Sequence, residues 1–363
     1  MKKFAALVIS LVAASAQFAD GGTAPIAPAT RHVTADDPHF RYEGRFDRTH
    51  PAAPVVIWAG SRISVDFLGE TLALRWGAAE GQNFFNVQVD DGTEIAAAHA
   101  GAAGRFAWPH PLTPGRHHLA IFKRSEAASG TVVFAGIEID ASHEPLAPAD
   151  VPYRLRMEFI GDSITVGACN EDGAKDQWED RRTHNHALSW DALTSAALGA
   201  DHQAMAVSGM GVVTGWVDVK AREAWDRLYP RADAPRADLA SWQPDVVFVN
   251  LGENDDSFTH AHGQPFPPGF KDGYVALVRA IRGAWPHAAI VLLRGGMYGG
   301  AQSAPLREAW TGAVAVLEAS DPAVRHFVFT HWSENHPRVA DDRAMAAELT
   351  AWLRAQPFMA RYQ

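Results

Sequence analysis

The sequence predicts two folds in series: an all-β jelly-roll sandwich over residues 35–145, then an α/β domain over residues 152–363, a parallel sheet in a three-layer αβα arrangement. Two observations carry that expectation. Between about His39 and Asp140 apolar residues recur with period two and no helical stretch intervenes. Beyond the proline-containing stretch from Glu144 to Pro152, short apolar runs alternate instead with amphipathic helical patterns. The length, 363 residues, independently favours two domains over one core.

The chain opens with Lys2 and Lys3, then an apolar run from Phe4 to Ala14 that is too short to span a bilayer. Ala14-Ser15-Ala16 follows as a small-residue cleavage site, so residues 1–16 read as an export signal. Residues 17–34, rich in Ala, Pro and Thr toward their end, read as a linker. No cysteine near the cleavage point could carry a lipid, and no later stretch is apolar enough to span a membrane. A periplasmic or secreted location is therefore expected. Cys169 is the only cysteine, so no intramolecular disulfide can form, and it reads as a small packing residue.

In the β-rich half, Ile63, Val65 and Phe67 mark one strand. Leu72, Leu74 and Trp76 mark a second, and Phe85, Val87 and Val89 a third that ends at the Asp91-Gly92 turn. Leu119 and Ile121 follow Pro114-Gly115, and Val133, Ala135, Ile137 and Ile139 close the domain. In the second half, Met157–Ile160, Val246–Leu251, Ile290–Leu293 and Phe327–Phe329 read as buried parallel strands. Tyr274, Leu277, Val278 and Ile281 share one helical face, and Met345, Leu349 and Trp352 another. Sheets of this kind place their sites at the carboxyl ends of the strands. Gly161-Asp162-Ser163 and Gly252-Glu253-Asn254-Asp255 should therefore meet, since each follows a strand directly.

Composition narrows the chemistry. A net charge of -10 and a pI near 5.9 leave no basic stripe for nucleic acid, and neutral substrates fit better than phosphates. Twelve tryptophans exceed ordinary core needs, although most should still be core. Trp178, Trp190, Trp216 and Trp332 fall near the loops of interest, and Trp332, closest in sequence to His336, is the favoured platform for a sugar ring.

Ser163 stands at a strand-to-helix turn, where a helix N-terminus would offer backbone N–H groups to negative charge; taken alone, it could equally be a helix cap. Asp162 should orient the turn. Ser208-Gly209-Met210-Gly211 lies in a loop where a glycine N–H can approach an anion unobstructed. Asn254 could supply a further amide donor or merely close an Asx turn. His336, in Glu334-Asn335-His336-Pro337, could serve as a base. His184, His186, His260 and His262 have paired spacings, but no third and fourth ligand accompanies them; they read as solvated loop residues, and no metal or other cofactor is expected. Gly295-Gly296 and Gly299-Gly300 read as a flexible rim loop rather than a phosphate cradle.

In this order, Gly-Asp-Ser, Gly, Gly-x-Asn-Asp and a late His resemble the blocks of the SGNH, or GDSL-type, hydrolases. The resemblance implies that Ser163 attacks an ester, that His336 is its base, and that Ser163 N–H, Gly209 N–H and the Asn254 amide form the oxyanion hole. With Glu43-Gly44-Arg45-Phe46, Lys123-Arg124-Ser125-Glu126, Gly130 and Phe134-Ala135-Gly136-Ile137 included, the chain from about Thr34 to Leu353 resembles carbohydrate esterase family 2. That family joins a jelly roll to an SGNH domain and removes acetyl groups from xylan and glucomannan without a metal. An acetylated polysaccharide or oligosaccharide is then the expected partner, with neither nucleic acid nor membrane. Many SGNH enzymes carry an Asp three residues before the histidine, where this chain has Ser333. Glu334, two residues before, is the expected third catalytic member, the alternative being a Ser-His dyad held by a backbone carbonyl. Two other functions compete: hydrolysis of another small acyl ester, and carbohydrate binding by a hydrolase half that has lost its activity.

Overall fold

The computed structural model describes residues 29–101 and 104–362. The export signal read over residues 1–16 lies outside the described residues.

The first domain is antiparallel throughout. Its strands are β1 (Thr30–Val33), β2 (Arg41–Glu43), β3 (Phe46–Asp47), β4 (Val55–Val56), β5 (Arg62–Leu68), β6 (Leu72–Val89), β7 (Gly92–His99), β8 (Arg105–Ala107), β9 (Arg116–Lys123) and β10 (Gly130–Asp140). They form one curled sheet in the order β2-β5-β9-β6-β10-β4-β3, with β1 on β10 and both β7 and β8 on β6. Two corrections to the sequence reading follow. Thr30–Val33, assigned to the linker, is a strand that pairs with Ile137–Asp140. The runs around Leu74 and Val87, read as separate strands, belong to the single 18-residue strand β6.

The physical reason lies in the middle of β6. Its two ends are buried, but residues 77–82 are mostly exposed, and the strand changes layer there. Residues 72–81 pair with β10, whereas 82–89 pair with β7. Trp76 therefore stacks on Phe85 of its own strand, with ring centroids 4.5 Å apart. Phe67, Leu74, Phe85, Val87, Leu119, Ile121 and Phe134 fill the space between the layers. Burying each such side chain contributes about 1.5–3 kcal/mol.

The second domain holds a five-stranded parallel sheet of β11 (Arg156–Gly161), β12 (Asp201–Ala206), β13 (Val246–Asn250), β14 (Ala289–Met297) and β15 (Val324–Ser333), in the order β12-β11-β13-β14-β15. Residues 201–206, not assigned to a strand from the sequence, form the edge strand β12. Gly295-Gly296, read as rim loop, continue β14 through an irregular register against β15.

Its principal helices are α1 (Trp190–Ala197), α2 (Ala221–Ala224), α3 (Glu253–Ala261), α4 (Phe270–Ala284), α5 (Tyr298–Gln302), α6 (Ala304–Ser320) and α7 (Val339–Arg354). Strand alternation sorts them onto two faces. Val247, Val249, Ile290 and Leu292 share a core with Tyr274, Leu277, Trp310 and Leu317 of α4 and α6. Val246, Phe248, Val291 and Leu293 share the other with Trp190 of α1 and with Met345 and Leu349 of α7. The three-layer αβα expectation is met. No helix among the described residues is long and apolar enough to cross a membrane.

The domains share hydrophobic core. Ile57, Trp58 and Ala127 of the β domain are buried in one cluster with Met205, Val207 and Met210 of the α/β domain. Arg45 crosses the same boundary to pair with Glu158 of β11 at 3.2 Å, both side chains being buried. Burial lifts the Glu158 carboxyl to about 7, against the attraction of Arg45.

Candidate active site

Ser163, Gly209, Asn254 and His336 converge on one cavity of about 430 Å3, at the carboxyl ends of the parallel strands. Trp178, Ser208, Trp216, Glu253, Ser257 and Met297 complete its wall.

Ser163 follows β11 as expected, but no α-helix succeeds it. Residues 163–171 form successive turns, closed by Thr165 N–H and Val166 N–H donating to Asp162 O at 3.1 and 3.2 Å. Gly167 at φ +66° and Cys169 at φ +58° adopt left-handed backbone, which ends any right-handed helix before it forms. The field of a helix N-terminus is thus not part of the site; individual N–H groups must serve.

Gly209 sits at φ +83°, and a Cβ there would lie 3.1 Å from Trp216 Cβ, so the position favours glycine on both counts. The loop is further secured by Asp255, whose carboxylate accepts N–H bonds from Val212, Val213 and Thr214 at 2.8, 2.8 and 3.0 Å. Burial raises the Asp255 carboxyl, and those three bonds work against the rise.

Asn254 lies in the first turn of α3, and its amide nitrogen donates to Asp162 Oδ2 at 3.0 Å and to Met210 O at 3.1 Å. These bonds fix the amide plane at the cavity wall. Asp162 also accepts from Ile164 N–H at 3.1 Å, so it orients the turn, as read from the sequence. Its complete burial drives the carboxyl well above the usual range. Glu253 accepts from Gly299 and Gly300 N–H at 3.0 and 2.7 Å, which ties down the segment that was expected to be a flexible rim.

The carboxylate beside His336 differs from the expectation. His336 Nδ1 lies 2.6 Å from Asp176 Oδ2, while Glu334 is exposed to solvent. Glu334 directly follows the end of β15, in a bend over residues 334–336, and Asp176 lies against Nδ1 instead. Arg338 braces the arrangement: Nη2 lies 2.8 Å from Asp176 Oδ1, Nη1 donates to His336 O at 2.8 Å and Nε to Gly173 O at 2.8 Å. Burial would raise the Asp176 carboxyl, but its bonds to His336 and Arg338 outweigh that and hold it at about 2. Asp176 is therefore ionised at any working pH and matched to an imidazolium.

The tryptophans also sort differently. Trp178 packs edge-on against His336 with centroids 5.1 Å apart, and Trp216 stands exposed on the cavity wall. Trp190 is core. Trp332 is not among the residues lining the cavity; it lies on β15 opposite Gly296 and leans edge-on to Tyr298.

His184 and His186 are buried rather than solvated, whereas His260 and His262 are exposed. His186 stacks on Phe122 of the β domain, and its Nδ1 lies 3.3 Å from Thr165 O. Among the described residues two groups have potential ligand atoms within 4.8 Å of one another: Cys169, Asp176 and His336, and Cys169, Asp172 and His184. Both need Cys169, whose thiol is buried and strongly disfavoured as thiolate. The first would also draw on Asp176 and His336, which already bond each other.

A serine, a glycine N–H, an asparagine amide and a carboxylate-bound histidine on such a sheet define a protein of the SGNH class. Residues 159–355 match the family model described as GDSL-like lipase/acylhydrolase, and residues 42–148 match that described as carbohydrate esterase 2 N-terminal. The chain belongs to the GDSL-like lipase/acylhydrolase family, in the two-domain form of carbohydrate esterase 2.

It is 30% identical over 327 residues to a cellulase/esterase, CelE, of Acetivibrio thermocellus, matching with 87% of its own length. It is 31% identical over 214 residues, 57% of its length, to an acetylxylan esterase/glucomannan deacetylase of Cellvibrio japonicus. The matches span 39% and 57% of those two relatives. A family two carbohydrate esterase from Clostridium thermocellum, solved in complex with cellohexaose, superposes with a TM-score of 0.78 at 29% identity, covering 87% of this chain and 98% of that one.

Proposed function

We propose that this protein is an exported serine esterase that removes O-acetyl groups from a cell-wall polysaccharide of the xylan or glucomannan type, through an acyl-enzyme. The observation that carries the reading is the Asp176–His336 pair at a cavity that also presents Ser163 and is flanked by two tryptophans.

Ser163 Oγ attacks the acetyl carbonyl and passes its proton to His336 Nε2. Asp176, ionised and bonded to Nδ1, fixes the tautomer and balances the imidazolium. The oxyanion receives the N–H groups of Ser163 and Gly209 and one N–H of the Asn254 amide, which gives up its bond to Met210 O to meet it. Collapse of the tetrahedral intermediate expels the sugar alkoxide, which takes the proton back from His336. Water, activated by the same histidine, then releases acetate from Ser163.

A cavity of about 430 Å3 accommodates an acetyl group and leaves the sugar at its mouth, beside the exposed rings of Trp178 and Trp216. The polysaccharide class is supported by the relatives, one named acetylxylan esterase/glucomannan deacetylase and another bound to cellohexaose. Export rests on the segment from Lys2 to Ala16. The test is acetate release from acetylated xylan, acetylated glucomannan and 4-nitrophenyl acetate by wild type and Ser163→Ala. Polysaccharide acetate that disappears in the variant supports the reading; release confined to the small ester moves the substrate elsewhere; no Ser163-dependent release ends it.

A further inference from the structure

The β domain meets the loops around the cavity chiefly through Lys123-Arg124-Ser125-Glu126, a run that begins with the last residue of β9. Arg124 is buried; it pairs with Glu171 and donates to Arg182 O at 2.8 Å, while its own carbonyl accepts the N–H of His186 at 2.9 Å. Gln82 of β6 adds two bonds to the same loop, Nε2 to Glu179 O at 2.8 Å and Oε1 from Arg181 N–H at 3.1 Å. This loop carries Asp176 and Trp178.

Glu126 does something more specific. It is 1% exposed, and its Oε2 accepts the backbone N–H of Ser208 at 2.8 Å. Its Oε1 has no hydrogen-bond partner and faces Arg181 Nη1 at 3.7 Å. A buried carboxylate with half its bonding capacity unused is costly to keep. Here it is spent on a single peptide N–H, that of the residue preceding Gly209.

Resting on the esterase reading above, we infer that Glu126 is a positioning residue of the oxyanion hole, supplied by the β domain. The bond to Ser208 N–H fixes that residue just where the chain enters Gly209 at φ +83°. The peptide joining Ser208 to Gly209, whose N–H the oxyanion must meet, is thereby held toward the cavity. A carboxylate that touches neither substrate nor nucleophile then acts only as charge develops on the carbonyl oxygen, and it belongs to the domain that supplies none of the reacting groups.

The test separates reach from charge. Glu126→Gln keeps an acceptor at the same distance and loses the charge; part-exposed Arg181 can swing to solvent. Glu126→Asp keeps the charge but withdraws it by one methylene, and Glu126→Met removes the acceptor. With a soluble acetate ester as substrate, Met and Asp variants should lose about 10²-fold in kcat with KM within threefold, and Gln should recover most of that loss. Inhibition by a small boronic acid, which becomes a tetrahedral anion on Ser163, should weaken in parallel with kcat/KM. Titration of competent serine with a phosphonate ester, with melting temperatures, separates this from misfolding, which lowers the titrated fraction instead.

Wild-type kcat in Glu126→Asp, or a loss in Glu126→Gln as large as in Glu126→Met, overturns the inference. If Glu126→Met does not fold, the Asp and Gln pair decides. Ser163-dependent activity that ignores Glu126 refutes the positioning role alone, whereas activity independent of Ser163 refutes the esterase reading beneath it.

Discussion

Asp176 and His336 are 160 residues apart in the chain and 2.6 Å apart in space. That relationship replaces the expected partnership of His336 with its near neighbour Glu334. It also gives that imidazole a carboxylate held low by its own contacts.

Asp176→Asn should therefore lower kcat by about 10²–10⁴-fold with little change in KM, since the amide can neither balance an imidazolium nor enforce the tautomer. Glu334→Gln should stay within about twofold of wild type, as expected for an exposed side chain. Initial rates for both variants on 4-nitrophenyl acetate decide between the two carboxylates. Because Asp176 sits at about 2, the acid limb of the rate profile above pH ~3 must come from another group.

Asn254→Ala should cost about 10²–10³-fold in turnover, the usual effect of deleting one oxyanion donor. The same change removes a donor from Asp162 and from Met210 O, so a modest fall in melting temperature should accompany it. Turnover within threefold of wild type would remove Asn254 from the hole.

Trp216→Ala should raise KM for acetylated oligosaccharides several-fold while leaving 4-nitrophenyl acetate nearly unaffected, since a stacking platform matters only to a substrate with a ring to stack. Trp178→Ala should reduce both, because its ring also buttresses His336. Equal losses on both substrates in the Trp216 variant would assign that ring to loop support through its bond to Ser257 instead.

Glu158 predicts a pH dependence of stability. Its carboxyl rises from the ordinary 4.5 to about 7 on folding, so folding favours the protonated form. That contribution is complete below the unfolded value and is lost as pH climbs through about 7. Melting temperature should thus decline between pH ~5 and ~8 in wild type and decline less in Glu158→Gln. Parallel slopes would mean that Arg45 keeps the carboxylate charged throughout.

Both halves of the fold were legible because most elements of each obey that half's own hydrophobic period. Ile63, Val65 and Phe67, or Tyr274, Leu277, Val278 and Ile281, face the core at the spacing their strand or helix dictates. The length of β6 was hidden because its exposed middle looks polar, as a connection would. The edge strand β12 was obscured by its polar start, Asp201-His202-Gln203, all three of which are buried.

That Ser163, Gly209, Asn254 and His336 would line one cavity was legible because each stands beside a strand end or a glycine with a recognisable neighbour. Asp176 was not. It lies in a polar loop between β11 and α1, and no spacing ties it to a histidine so far along the chain. Trp178 shares that loop and was passed over for Trp332 on proximity in sequence, which is a poor guide where loops from different strands meet.

Ile57, Trp58 and Ala127 share a core with the sheet that carries the chemistry, and this bears on how such proteins diversify. A hydrolase half transplanted onto another partner would present a raw greasy face and a broken floor beneath its own reaction centre. The two halves should therefore be inherited together as a single cassette.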